Sequence, residues 1–202
     1  GLVRAAVETE LARGGNARIG TRRHGPVILV GREPDDPTAT HSSEDLTSYA
    51  VQLARVARQL AATDPLPTPI RAIERLRQVT RPAAMPALSD ARMVRLAAAA
   101  AEDVAVSPNL QLYPVGLEPQ RALRLAAGSL ALSRGQTLSE DSLRNRVMAR
   151  FPQAAPLPER PKLDDLLKAS GIALTWDPQV QAYHAPAPPS GTLFATSTRL
   201  GT

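Results

Sequence analysis

At 202 residues the chain has room for one large domain or two to three small ones, and with no cysteine it holds neither a disulfide nor a thiolate metal site. Hydrophobic residues make up 43% but aromatic ones only 3%, so its cores are expected to be thin, helix-rich and built from Ala, Leu and Val. No apolar run approaches the roughly eighteen residues that span a bilayer and no secretory leader is evident, which gives a cytoplasmic setting without a membrane partner.

The net charge is +5, and 22 of the 24 basic residues are arginine, with Lys162 and Lys168 the two lysines. That bias, with 19 prolines and abundant alanine, points to a GC-rich bacterial genome. The charge is uneven. Residues 1–32 carry six arginines against Glu8 and Glu10, residues 33–116 are net acidic, and residues 117–202 are net basic.

In chain order, Leu2 to Arg13 reads as the end of a helix stopped by Gly14-Gly15-Asn16. Ala17 to Thr21 and Pro26 to Val30 then pair across the tip Arg22-Arg23-His24-Gly25. The chain opens at Gly1 inside this helix, so residues 1–32 are read as the helix and wing of a truncated first unit. Gly31 to His41 is a turn or short linker.

A strong helix follows from a Ser42/Asp45 capping box to Ala62, with Leu46, Tyr49, Leu53, Val56, Ala57 and Leu60 as its apolar stripe. Pro69 to Val79 is a second helix, offering Ile70, Ile73, Leu76 and Val79 for burial. A third runs from the cap Ser89 to Glu102, and Val104 to Val106 then turns through Ser107-Pro108-Asn109 into Leu110 to Tyr113.

Residues 117–184 repeat the order. Glu118 to Leu132 is a helix, Thr137-Leu138 a short strand, Ser139 to Arg150 a second helix and Pro161 to Ser170 a third. Gly171 stops that helix before Ile172 to Trp176 and Gln181 to Tyr183 form a hairpin, with Trp176 expected in the core and able to pair with Tyr183 across the strands. Ala185 to Gly191 is a Pro-rich linker, and 192–198 resembles the first strand of a following segment.

A helix running into a hairpin three times gives an α+β fold, mainly α with short β-hairpins, built as tandem winged-helix-like units. The units are 1–32, 42–116 and 117–184, with 185–202 as linker. Units this small lean on their neighbours.

A winged helix reads DNA through its third helix and its wing, so basic residues there are the candidate nucleic-acid contacts. They are Arg18, Arg22, Arg23 and His24 on the first wing, Arg144, Arg146 and Arg150 on the second helix of the last unit, and Arg160, Lys162 and Lys168 at its third. Each has a plainer reading: a charged hairpin tip keeps an edge soluble, and charged positions fill most exposed helix faces. The middle unit has an uncharged wing and only Arg92 and Arg95 on its third helix, a poor phosphate surface.

Catalytic constellations are not evident. No GxxxxGK[ST] loop occurs, His24, His41 and His184 lie far apart, and the carboxylate pairs Glu44-Asp45, Glu140-Asp141 and Asp164-Asp165 fall in first helical turns, where they complement the helix dipole. No metal, no cofactor and no enzymatic role are expected of these residues.

Three stretches carry a resemblance: Asp64-Pro-Leu-Pro-x-Pro followed by Glu74-Arg-Leu-Arg77; Leu110-x-Leu-Tyr-Pro114 followed by Arg121-Ala-Leu-Arg-Leu125; and Arg150-Phe-Pro, Pro156-Leu-Pro-x-Arg-Pro-x-Leu-Asp164 and Leu174-x-Trp-Asp177. Over residues 43–184 the chain resembles the C-terminal region of large bacterial serine/threonine kinases of phage-defence systems, of the phage growth limitation or BREX type. No HRD, DFG or glycine-rich kinase loop is present, so the resemblance implies that phosphotransfer belongs elsewhere in a longer parent chain and places no catalytic residue here. The expected function is a non-catalytic DNA-binding or DNA-sensing module of a phage-defence protein. The alternative is a scaffold for protein interaction or dimerisation, with other domains of the parent or other defence proteins as partners.

Overall fold

The computed structural model describes Thr9 and residues 19–32, 41–83, 85–133 and 135–186. The expected first helix, apart from Thr9, and its Gly-Gly stop lie outside the described residues, as do Arg18 and the segment 187–202. The fold is α+β: six described helices with small antiparallel sheets of two and three strands.

The chain divides into two compact units. The first takes the described residues up to Leu117 and adds Ala149–Ala155; the second takes Glu118–Met148 and the described residues from Pro156.

The first unit opens with strands β1 (Ile19–His24) and β2 (Val27–Arg32). Their turn is Gly25-Pro26, two residues rather than the four expected, and Gly25 adopts a φ of 58°, which glycine tolerates without cost. Arg22, Arg23 and His24 therefore sit in strand β1, paired with Leu29, Ile28 and Val27. They are not the hairpin tip.

Helix α1 (Ser43–Ala61) starts at the expected capping box: the Ser42 Oγ accepts from the Asp45 N–H, and the Asp45 carboxylate accepts from the Ser42 N–H at 2.8 Å. Tyr49, Leu53, Ala54, Ala57 and Ala61 form its buried stripe. Helix α2 (Pro69–Arg77) begins at Thr68 with proline in its first turn and buries Ala72 and Leu76. Ile70, expected inside, is 70% exposed, because two residues before Ala72 lies on nearly the opposite side of a helix.

Helix α3 (Asp90–Ala101) packs on α1 through Met93, Val94, Ala97 and Ala101. Alanine on both helices permits a close approach, and Leu53, Leu76 and Leu112 fill the remaining core. Strands β3 (Val104–Val106) and β4 (Leu112–Pro114) pair with Ala105 opposite Tyr113. Residues 149–155 close this unit, with the Phe151 ring edge-on to Tyr113 at 5.1 Å between centroids. The Gln153 N–H donates to the Tyr113 hydroxyl, and the Ala155 N–H to the Leu117 carbonyl.

The second unit runs α4 (Pro119–Leu130), β5 (Thr137–Leu138), α5 (Glu140–Arg150, its last two residues in the first unit), α6 (Lys162–Ala169), β6 (Thr175–Asp177) and β7 (Ala182–His184). Its sheet has the order β5-β7-β6: Leu138 and Trp176 are both partners of Tyr183, from opposite edges. Leu123, Leu130, Leu138, Leu143, Val147, Leu163 and Leu167 form the core of this unit. No described helix is long and apolar enough to cross a membrane.

Candidate nucleic-acid interface

Strand alternation splits the basic run of the first hairpin. Arg22 and His24 share one face of β1, and Arg23 takes the other. Arg22 donates to the Ser48 hydroxyl on α1, while His24 Nε2 lies 3.0 Å from an Arg58 guanidinium nitrogen. Arginine only donates, so in this contact His24 Nε2 is the acceptor. Arg58 also binds the Asp103 carboxylate at 2.7 Å and the Ala101 carbonyl at 2.9 Å, tying the hairpin to the end of α3. Arg23 is exposed.

In the second unit Arg144 donates to the carbonyls of Leu157 and Pro158 and pairs with Glu140 one helical turn away. Arg146 donates to the Ser129 carbonyl at 3.1 Å. In the first unit Arg150 lies over the Phe151 ring. Arg160 stacks on Trp176, with its guanidinium carbon 3.8 Å from the ring centroid, and binds Asp164. Trp176 is thus half-buried under a cation rather than in the core, and its ring meets Tyr183 edge-on at 5.0 Å. Lys162 and Lys168 are exposed.

Asp164 sits at the centre of that cluster and accepts the Tyr183 hydroxyl at 2.7 Å. Burial pushes its pKa up, but hydrogen bonds from Arg160 and Tyr183 and the charges of Arg160 and Lys168 outweigh burial and hold it below the ordinary 3.8. Burial, then the bond to Asp164, drives the Tyr183 hydroxyl well above 10. Among the described residues no group of three or more His, Asp and Glu side chains is placed to hold a metal ion.

The residues singled out in sequence fall in both units: Arg22, Arg23, His24 and Arg150 in the first, Arg144, Arg146, Arg160, Lys162 and Lys168 in the second. A basic groove in the first unit, bordered by one of them, Arg22, lies between the outer face of α1 and the 77–83 segment that leaves α2. It consists of three adjoining hollows of about 490, 380 and 510 Å³: Thr80 lines all three, Ser48 and Gln52 the first two, and Arg81 the last two. Ser48, Gln52 and Arg55 succeed one another on α1 at the i, i+4, i+7 spacing of one helix face. Arg22 borders the groove from β1, and Arg81 lines it from the opposite wall.

Arg55 and Arg81 are exposed and held by no hydrogen bond or ion pair among the described residues. Arg22 is matched by a neutral hydroxyl, whereas Arg77, also on the wall, is neutralised by Asp90 at 2.8 Å. Asp45 is the one acidic residue among the described lining, and the Ser42 N–H and hydroxyl hold its carboxyl below the usual range. Tyr49 is the one aromatic residue there and is 5% exposed; burial raises its pKa, and the nearby Arg81 charge opposes that rise.

Arg55 and Arg81 lie on the first helix and in the connection after the second, outside the third helix and wing in which a winged helix is expected to hold its DNA contacts. The available signal was the polar i, i+4, i+7 face of a long capped helix.

No family model matches the chain, and no solved structure matches it. It is similar to a protein named "Probable kinase PglW" from Streptomyces coelicolor (strain ATCC BAA-471 / A3(2) / M145), 34% identical over 168 residues. The similarity takes in 75% of the chain but 11% of that protein, so the chain corresponds to a small part of a much longer relative that is named as a probable kinase.

Proposed function

We propose that these residues form non-catalytic tandem winged-helix units that contact DNA on behalf of a phage-defence kinase. The observation that carries this reading is the topology of the second unit. Helix, strand, two helices and a hairpin, with the first strand beside the last in the order β5-β7-β6, is the order expected of a winged helix and supports this reading. In the first unit α1, α2, α3 and the hairpin β3–β4 repeat that order without the first strand. The likeness to a probable kinase supports a kinase parent, and the resemblance in the Pro/Leu stretches supports the defence setting.

A second reading, a protein-interaction scaffold, draws on an apolar recess of about 280 Å³ in the first unit, lined by Leu29, Val30, Leu46, Met85 and Leu96. Val30 is 53% exposed at its rim. The two readings separate by salt dependence. Mobility-shift titration of the chain with duplex DNA is expected to show binding that weakens steeply as salt rises. Absence of a shifted species at the lowest salt would abandon the DNA reading for the scaffold.

A further inference from the structure

Resting on the DNA reading, we infer that the contact surface is the groove between α1 and the 77–83 segment, and that it grips the phosphodiester backbone of duplex DNA without reading sequence. The wing and third helix of the second unit are not that surface.

Three observations carry this. First, charge is available in the groove: Arg22, Arg55 and Arg81 have no carboxylate partner among the described residues, whereas Arg144 and Arg160 of the second unit are bound to carboxylates and Lys168 lies beside the Asp164 carboxylate. A guanidinium already bound to a carboxylate has little net attraction left for a phosphate. Second, the neutral polar residues beside those arginines are Ser48, Gln52, Gln78 and Thr80, with Val51, Val56 and Val79 completing the floor. Hydroxyls and side-chain amides are the groups that join arginine in phosphate contact.

Third, the groove has no base-stacking platform. Binding of single strands relies on exposed aromatic rings, and Tyr49, the one aromatic residue of the described lining, is buried. Base-edge readout requires an element that enters the major groove, whereas Arg55 and Arg81 line adjoining surface hollows that share Ser48, Gln52 and Thr80. The ligand matched by this surface is a ridge of phosphates on duplex DNA.

The test is fluorescence anisotropy of the full chain with a labelled random-sequence duplex at two salt concentrations. It compares the unaltered protein, Arg55→Ala/Arg81→Ala, and Lys162→Ala/Lys168→Ala, each checked by circular dichroism. Both pairs are exposed, so all three proteins are expected to fold. Removing Arg55 and Arg81 should weaken binding about tenfold and flatten the slope of log K against log salt by about 1.8, the release of two phosphate contacts. Gln52→Glu, which adds a negative charge between them, should weaken binding as well.

The lysine pair should bind within about twofold of the unaltered protein, scrambled duplexes should compete equally, and a single strand should compete less well. Undiminished binding by Arg55→Ala/Arg81→Ala overturns the groove assignment and leaves the DNA reading standing. Better competition by the single strand, or strong preference for one duplex sequence, also overturns it. No binding by the unaltered protein overturns both.

Discussion

Gly20 and Gly31 are direct partners across the β1–β2 hairpin, and both face Ser43 at the start of α1. A Cβ at Gly20 would fall 2.0 Å from the Ser43 Oγ, and one at Gly31 would fall 2.6 Å from the Ser43 carbonyl oxygen. Absence of side chains on both strands lets the helix start dock on the hairpin, which in turn places Arg22 within reach of Ser48 and His24 within reach of Arg58.

The two obstacles differ in kind, which gives a paired experiment. Gly31→Ala meets backbone, so it is expected to destabilise the unit by about 1–3 kcal/mol whatever residue 43 is. Gly20→Ala meets the Ser43 side chain, and Ser43→Gly should restore much of the loss. Amide hydrogen exchange of the hairpin and α1 measures both. Equal rescue of the two alanine variants would contradict the geometry.

The Asp164 cluster sets the pH response of the second unit. Its carboxyl is held below the ordinary value, so its contribution is fully present above pH 3.8 and is lost as pH falls through the lowered value. The Tyr183 hydroxyl is raised, so its contribution is present below pH 10 and is lost as the pH climbs beyond that. Tyr183→Phe removes a bond to a carboxylate and should cost about 1.5–3 kcal/mol at neutral pH. It should also move the acid loss toward higher pH. Trp176, the single tryptophan, reports both by fluorescence during denaturant unfolding.

Arg144 clamps the Leu157 and Pro158 carbonyls with one planar fork. Lysine carries the charge without the fork, so Arg144→Lys is expected to lose about 1–2 kcal/mol of stability while leaving DNA affinity unchanged. Thermal unfolding and anisotropy on the same sample separate these effects. A stable protein with weakened DNA binding would place Arg144 at the interface instead.

Phe151 fills the first unit from a distant part of the chain and is fully buried. Phe151→Ala should cost about 3–5 kcal/mol, whereas Tyr113→Phe, which removes only the acceptor for the Gln153 N–H, should cost about 1 kcal/mol. Comparable losses would contradict the packing described.

Periodicity made most elements legible. The Ser42/Asp45 box and the Thr137-Leu138 strand stand where the pattern puts them, and Tyr49, Leu53 and Ala57 of the expected α1 stripe are buried, while Leu46, Val56 and Leu60 are only half-buried and Ala54 and Ala61 complete the buried face. The hairpin shifted because Gly25-Pro26 makes a two-residue turn, and a small register change moves the arginines from tip to strand and onto alternate faces. The engagement of Arg144, Arg146 and Arg160 was not legible, since their carbonyl, carboxylate and aromatic partners are brought up by tertiary packing or by a neighbouring turn of chain. The groove was hidden for a related reason. Counting charge by segment averages Arg55 and Arg81 with acidic residues outside the groove lining, among them Glu102 and Asp103.

The most direct measurement is a titration of the isotopically labelled chain with a short duplex, followed by amide chemical shifts. The largest changes are expected at Ser48, Gln52, Arg55, Thr80 and Arg81, with little movement at Arg92, Arg95, Lys162 or Lys168. Changes concentrated on Arg92 and Arg95 of α3, or on α6, would contradict the groove assignment.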